Sequence, residues 1–140
     1  AIAELRSVAQ SHEGSYPISI AGTSTLTFYV DLQNDGKIER VRYFLSGQTL
    51  KKGIISPSGS PLTYNPANET IKDVVHNVVT GTSSIFSYYD SDYTGDEPPM
   101  TIPVVISDIR MVEINISAKD TGQISQTSFS TRVTPRNLRD

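Results

Sequence analysis

From Leu26 to Leu50 the chain reads LTFYVDLQNDGKIERVRYFLSGQTL. Leu26, Phe28, Val30 and Leu32 alternate with Thr27, Tyr29 and Asp31, the period of a strand that buries one face. The tip, Asn34-Asp35-Gly36-Lys37, tolerates positive φ and predicts a hairpin turn. The return arm, Ile38 to Leu45, carries charge on its rim and aromatic bulk within. Asp31, Asn34 and Asp35 also supply oxygen donors, but at the first, fourth and fifth places of their stretch. That is the wrong spacing for a metal loop, so turn chemistry is the better reading.

Upstream, residues 1–11 (AIAELRSVAQS) place Ile2, Leu5, Val8 and Ala9 at helical spacing, with Glu4, Arg6 and Gln10 on the other side. A helix is predicted over residues 1–13, ending near Gly14 and unable to continue through Pro17. It has no capping residue at its start. The truncated end of a longer helix would look this way, and a short N-terminal helix packed on a sheet fits equally well. The chain begins at Ala1 and not at Met, so processing or truncation upstream is expected.

Downstream of the hairpin the pattern is mostly that of strands. A short strand is predicted at Ile18–Ile20 and another at Thr49–Ile55, followed by a Pro/Ser/Gly/Asn-rich loop from Ser56 to Asn68. Between Glu69 and Val79, Ile71, Val74, Val75 and Val78 fit a helical stripe, yet the valine density also fits a strand. One or two helical turns at Glu69–Val75 are expected. Ser84–Tyr89 reads as a strand running into an acidic loop, Asp90 to Pro99. Ile109–Ala118 alternates Val112, Ile114, Ile116 and Ala118 with Met111, Glu113, Asn115 and Ser117. Asp120-Thr121-Gly122-Gln123 is a turn signal, and Ile124–Val133 should return antiparallel until Pro135. No repeat or long linker interrupts residues 1–140, which read as one α+β domain: an N-terminal helix packed on an antiparallel β-sheet, with residues 14–140 as a β-rich head.

Composition narrows the chemistry. A net charge of −3 with no basic patch makes nucleic acid an unexpected partner. The absence of cysteine excludes thiol nucleophiles, disulfides and cysteine-based zinc sites. No run of about 18 apolar residues is present, so no helix of this sequence is long and apolar enough to cross a bilayer. The two histidines, His12 and His76, have no catalytic motif around them, and structural roles suit both. No Gly-x-Ser-x-Gly elbow, phosphate-binding glycine loop or HExxH stands in the sequence. A non-enzymatic protein is therefore expected.

The best local candidate is the acidic loop. Asp90, Asp92, Thr94 and Gly95 follow the first half of a D-x-D-x-[DNST]-G calcium loop, in which alternating oxygens converge on a hard cation and glycine allows the sharp turn. Asp96 and Glu97 add donors nearby. The bidentate Glu expected at the twelfth place is Thr101, and the same residues suit an ordinary exposed turn. Calcium is the only cofactor the sequence suggests, with Asp90, Asp92, Thr94 and Asp96 as ligands. Beside it, Tyr88, Tyr89 and Tyr93 are candidates for an aromatic platform, although alternation along a strand should turn one ring inward and one outward.

Four blocks, FYVDLQNDGKIERVRYFLSGQTLKK, SSIFSYYDSD, DIRMVEINISAKD and FSTRVTPRNL, stand in this order behind the apolar-striped N-terminal segment. Together they resemble type IV pilin-like proteins, most of all minor pilins and J-type minor pseudopilins of type II secretion-like systems. The likeness covers most of residues 24–138 and is one of pattern. The prepilin peptidase junction and the apolar helix behind it, the more specific family marks, are not in the sequence. The resemblance implies a membrane-inserted precursor, cleaved at its N-terminus, whose helices pack into a filament and display the head outside the cytoplasm. It implies other pilin or pseudopilin subunits as partners, secreted cargo as a further one, and membrane attachment only through a helix upstream of Ala1. Calcium binding in some members would map onto Asp90, Asp92, Thr94 and Asp96. The alternative is a secreted β-rich adhesin or carbohydrate-binding module, supported by the tyrosine cluster and the Ser/Thr-rich surface.

Overall fold

The computed structural model describes residues 5, 8, 9, 11, 16–79, 84–119 and 126–135. Within them the chain forms strands β1 (Ile18–Ala21), β2 (Thr25–Val30), β3 (Glu39–Ser46), β4 (Thr49–Ile55), β5 (Thr70–Val75), β6 (Phe86–Tyr89), β7 (Met111–Lys119) and β8 (Gln126–Val133). The first five lie in sequence order in one antiparallel sheet, and β6-β7-β8 form a second. The Leu26–Leu50 stretch accordingly supplies β2, β3 and the start of β4. Its register pairs Leu26 with Tyr43, Phe28 with Val41 and Val30 with Glu39. A slip of one residue would turn Phe28 and Tyr43 away from the core, so burial of one face holds the register.

The NDG tip is built by local hydrogen bonds. Asn34 and Gly36 take φ of 54° and 84°, and the Asp31 carboxylate accepts from the Asp35 and Gly36 amides at 3.1 and 2.8 Å. Glu39, buried at the start of β3, accepts the Leu32 amide at 2.9 Å. Burial pushes its carboxyl above the ordinary range, although the Leu32 amide opposes that shift.

Leu26, Phe28, Val41, Tyr43 and Leu50 of the first sheet share one buried cluster with Phe86, Tyr88, Val112, Ile114 and Val133 of the second. The two sheets thus face each other across a common core. Backbone bonds stitch them together at two places. The Thr23 carbonyl accepts from both Ile85 and Phe86 at 2.9 and 3.0 Å, and residues 77–79 reach from Gln48 of the first sheet to Ser117 and Lys119 of β7. Between these seams, the fully buried Tyr88 donates its hydroxyl to the Gly22 carbonyl at 2.8 Å. The opposite face of the first sheet is partly covered by the Ser56–Asn68 loop. There the Tyr64 ring lies 5.2 Å from Tyr29 and its hydroxyl donates to the Ile38 carbonyl.

The α+β expectation is corrected by this architecture. The described residues are nearly all β, and no helix packs on either sheet. Of the supposed helix face, Leu5 and Val8 are fully buried in the core. Val8 nevertheless forms an antiparallel bridge to Val30, and the Ala9 amide donates to the Tyr29 carbonyl at 2.8 Å. The end of β2 has backbone groups to satisfy, and extended chain at residues 8–9 satisfies them in a way a helix cannot. Ile2, His12, Gly14 and the Asp120–Gln123 turn lie outside the described residues. The helical turns expected at Glu69–Val75 are also replaced: Thr70–Val75 is an edge strand paired to β4. Its β-branched residues suit the ladder, and Asn65 caps a 3-10 turn at Pro66–Asn68 that leads into it.

One side-chain arrangement ties β5 back to the middle of the sheet. Arg42 on β3 holds Glu69 through two bonds, Nε to Oε2 at 3.1 Å and Nη2 to Oε1 at 2.7 Å, across the intervening Gly53 of β4. A methyl group on Gly53 would overlap that carboxylate. The Arg42 guanidinium also stacks 4.0 Å from the Phe44 ring centroid, which fixes its plane for the two-pronged bond.

Two outcomes follow for stability, both readable by urea denaturation. Tyr88→Phe leaves the Gly22 carbonyl without its buried donor and should cost about 1–2 kcal/mol. Gly53→Ala should destabilise the wild-type background by displacing Glu69, yet be neutral or stabilising once Glu69→Ala has cleared the space. Additive losses in that double-mutant cycle would refute the steric link.

Candidate functional site

The second sheet turns Val112 and Ile114 into the core, so Glu113, Asn115 and Ser117 of β7 must face outward. The β7–β8 register then sets Arg132 opposite Glu113, Ser130 opposite Asn115 and Ser128 opposite Ser117. Next to these rows, β6 splits its tyrosines as alternation requires. Tyr88 points inward, and Tyr89 points outward against Tyr93 of the acidic loop, with ring centroids 4.4 Å apart and planes tilted by 49°.

Glu113 is the hub of this face. Its Oε2 accepts Arg132 Nε at 2.7 Å, and its Oε1 accepts Asn115 Nδ2 at 3.1 Å and the Tyr89 hydroxyl at 3.4 Å. The bond from Arg132 holds the Glu113 carboxyl below the ordinary carboxylate range, and Glu113 in turn raises Arg132. Burial pushes the Tyr89 phenol up, with the Glu113 charge adding to the shift. The Arg132 guanidinium also stands 5.5 Å from the Tyr93 centroid. Farther along the strands, the Ser117 and Ser128 hydroxyls pair at 3.0 Å.

The acidic loop is organised mainly by its own backbone. Asp90 accepts the Asp92 amide at 3.0 Å, forming an Asx turn. Thr94 gives both its amide and its hydroxyl to Glu97 in short hydrogen bonds, which lower the Glu97 carboxyl. The Tyr93 hydroxyl donates to the Gly95 carbonyl at 3.1 Å, and Gly95 takes a φ of 125° that favours glycine. The Asp90 carboxylate is therefore engaged by the Asp92 amide, and the Thr94 hydroxyl by Glu97. Among the described residues no group of three or more His, Cys, Asp or Glu side chains gathers as it would around a metal ion. Two triplets match the Asn-x-Ser/Thr glycosylation sequon: Asn68-Glu69-Thr70, whose Asn ends the 3-10 turn before β5, and Asn115-Ile116-Ser117, which lies within β7.

Sequence reading placed Glu113 and Asn115 on one face of their strand, opposite Val112 and Ile114, but did not connect them to Arg132. The available signal was alternation on two strands that pair. The partner of each residue depends on the register of the β7–β8 hairpin, which alternation does not supply. No protein-family model matches the chain, and no curated protein matches it.

The Glu113–Arg132 pair makes a signed contribution to stability. Because the folded-state carboxyl is depressed, the contribution is present above the unfolded value near 4.5 and is lost as pH falls through the folded value. Glu113→Gln should therefore be slightly less stable than wild type at pH 7, because so exposed a partner is screened by solvent. The two melting temperatures should converge in strong acid. A gap that stays constant with pH would show that the charge is not responsible.

Proposed function

We propose that this chain is the head of a non-enzymatic filament subunit, of the kind formed by minor pilins and J-type minor pseudopilins. The support begins with the four blocks that resemble that family. They contribute β2–β4, β6, β7 and β8, so the likeness runs through both sheets. The observation that carries the reading is the seating of the N-terminal segment. Leu5 and Val8 are fully buried in the shared core, and the Ala9 amide is bonded to β2. A pull along the chain from its N-terminal side would therefore reach the core directly, as a head held in a filament by an upstream helix requires.

On this reading, the family's helix lies upstream of Ala1, crosses the membrane in the precursor and packs with other subunits in the filament. The head is then displayed outside the cytoplasm, and the Ser56–Asn68 and Asp90–Pro99 loops meet neighbouring subunits or cargo. Both loops are largely exposed, which suits that use. The acidic loop would be the place for calcium, through Asp90, Asp92, Thr94 and Asp96, if the head uses it in assembly.

The gene sequence upstream of the Ala1 codon tests the proposal directly. A short basic leader followed by about 20 apolar residues is expected there. A start codon immediately before Ala1, or an upstream segment without that apolar run, would overturn it.

A further inference from the structure

We infer that the outward face of the β6-β7-β8 sheet is a binding site for neutral saccharides. The inference holds whether or not the head belongs to a filament. A pyranose presents an apolar C–H face and a ring of hydroxyls, so its site needs an exposed aromatic ring beside planar polar groups that both donate and accept. Tyr93 provides the ring. It is partly exposed, and its hydroxyl on the Gly95 carbonyl, its packing on Tyr89 and the Arg132 guanidinium 5.5 Å from its centroid hold it in one orientation.

The polar groups lie alongside in consecutive cross-strand rows, Glu113 with Arg132, Asn115 with Ser130, and Ser117 with Ser128. Rows on one face of a strand are about 7 Å apart, so the three span about 14 Å and suit a short oligosaccharide better than a single sugar. Arg132 uses Nε on Glu113, and its side chain is 52% exposed, which leaves the guanidinium reachable from solvent as a donor. Asn115 uses Nδ2 on Glu113, which leaves its carbonyl oxygen as an acceptor. Ser128 and Ser130 are exposed hydroxyls that serve as either. Glu113 acts here as a positioning residue, since its three bonds hold Tyr89, Asn115 and Arg132 in place.

Charge selects the class of sugar. Glu113 neutralises Arg132, and the adjoining loop adds Asp90, Asp92, Asp96 and Glu97 with no Lys or Arg between them. The local field is negative and disfavours uronate or sialate groups, so uncharged chains are the ligands this face fits.

Saturation-transfer NMR on the 140-residue chain tests the site, with cellotetraose and chitotetraose as neutral probes and a galacturonate oligomer as the acidic one. Transfer to at least one neutral probe is expected, with none to the galacturonate oligomer. Tyr93→Ala should weaken binding by about tenfold or more, Tyr93→Phe should keep it, and Tyr16→Ala, at an exposed tyrosine elsewhere, should leave it unchanged. Asn115→Ala should also weaken it, which gives a second handle should Tyr93→Ala disturb the loop. Absence of transfer to both neutral probes, stronger binding of the acidic oligomer, or full binding by both the Tyr93→Ala and Asn115→Ala variants would overturn the inference.

Discussion

A phenol hydroxyl cannot be buried without a partner, and Tyr88 finds its partner in the opposite sheet. The bond to the Gly22 carbonyl joins the middle of β6 to the turn between β1 and β2, close to the Thr23 carbonyl that accepts Ile85 and Phe86. Burial pushes the phenol far above its ordinary value, so it stays a donor at any physiological pH. The apolar cluster supplies most of the cohesion between the sheets but has no direction. Directed bonds at Gly22, Thr23 and residues 77–79 set how the sheets are placed over each other.

That placement produces two outer faces with different character. On the five-stranded sheet, the Ser56–Asn68 loop lays Tyr64 against Tyr29, and the Arg42–Glu69 pair crosses Gly53 to secure the β5 edge. These contacts are structural, with their polar groups turned toward one another. The three-stranded sheet is open. Its groups are arranged around Glu113 and still offer donors, acceptors and a ring to solvent. The filament reading draws on the N-terminal seating and the saccharide reading on this open face, and the two meet at the Asp90–Pro99 loop, which carries Tyr93.

Much of the strand content was legible in the residues. β4 occupies Thr49–Ile55 as expected, β7 separates the two sides of the expected alternation by burying Val112, Ile114 and Ile116, and the NDG turn takes positive φ at Asn34 and Gly36. Each is a local property with a period of two or a turn that few residue types allow. The failures share a cause as well. Val8, and Ile71 with Val74 and Val75, lie in stretches whose spacing reads as helical but whose backbone is extended. Backbone groups at the end of β2 and along β4 decided both cases, and they lie far away in sequence. In the candidate site, the acidic loop stood out because its donors alternate within one short stretch, whereas the Glu113–Arg132 pair joins residues 19 apart.

The sequence by itself determined the strands other than β5, where the hairpin turns and which residues of a strand share a side, because alternation and turn chemistry act between near neighbours. Only the tertiary structure decided that Val8 and Ala9 pair with the end of β2, that Tyr88 closes the two sheets, and that Tyr93, Asn115 and Arg132 share one face. Those results depend on register and on the pairing of distant backbone groups, which the order of residues constrains only through the completed fold.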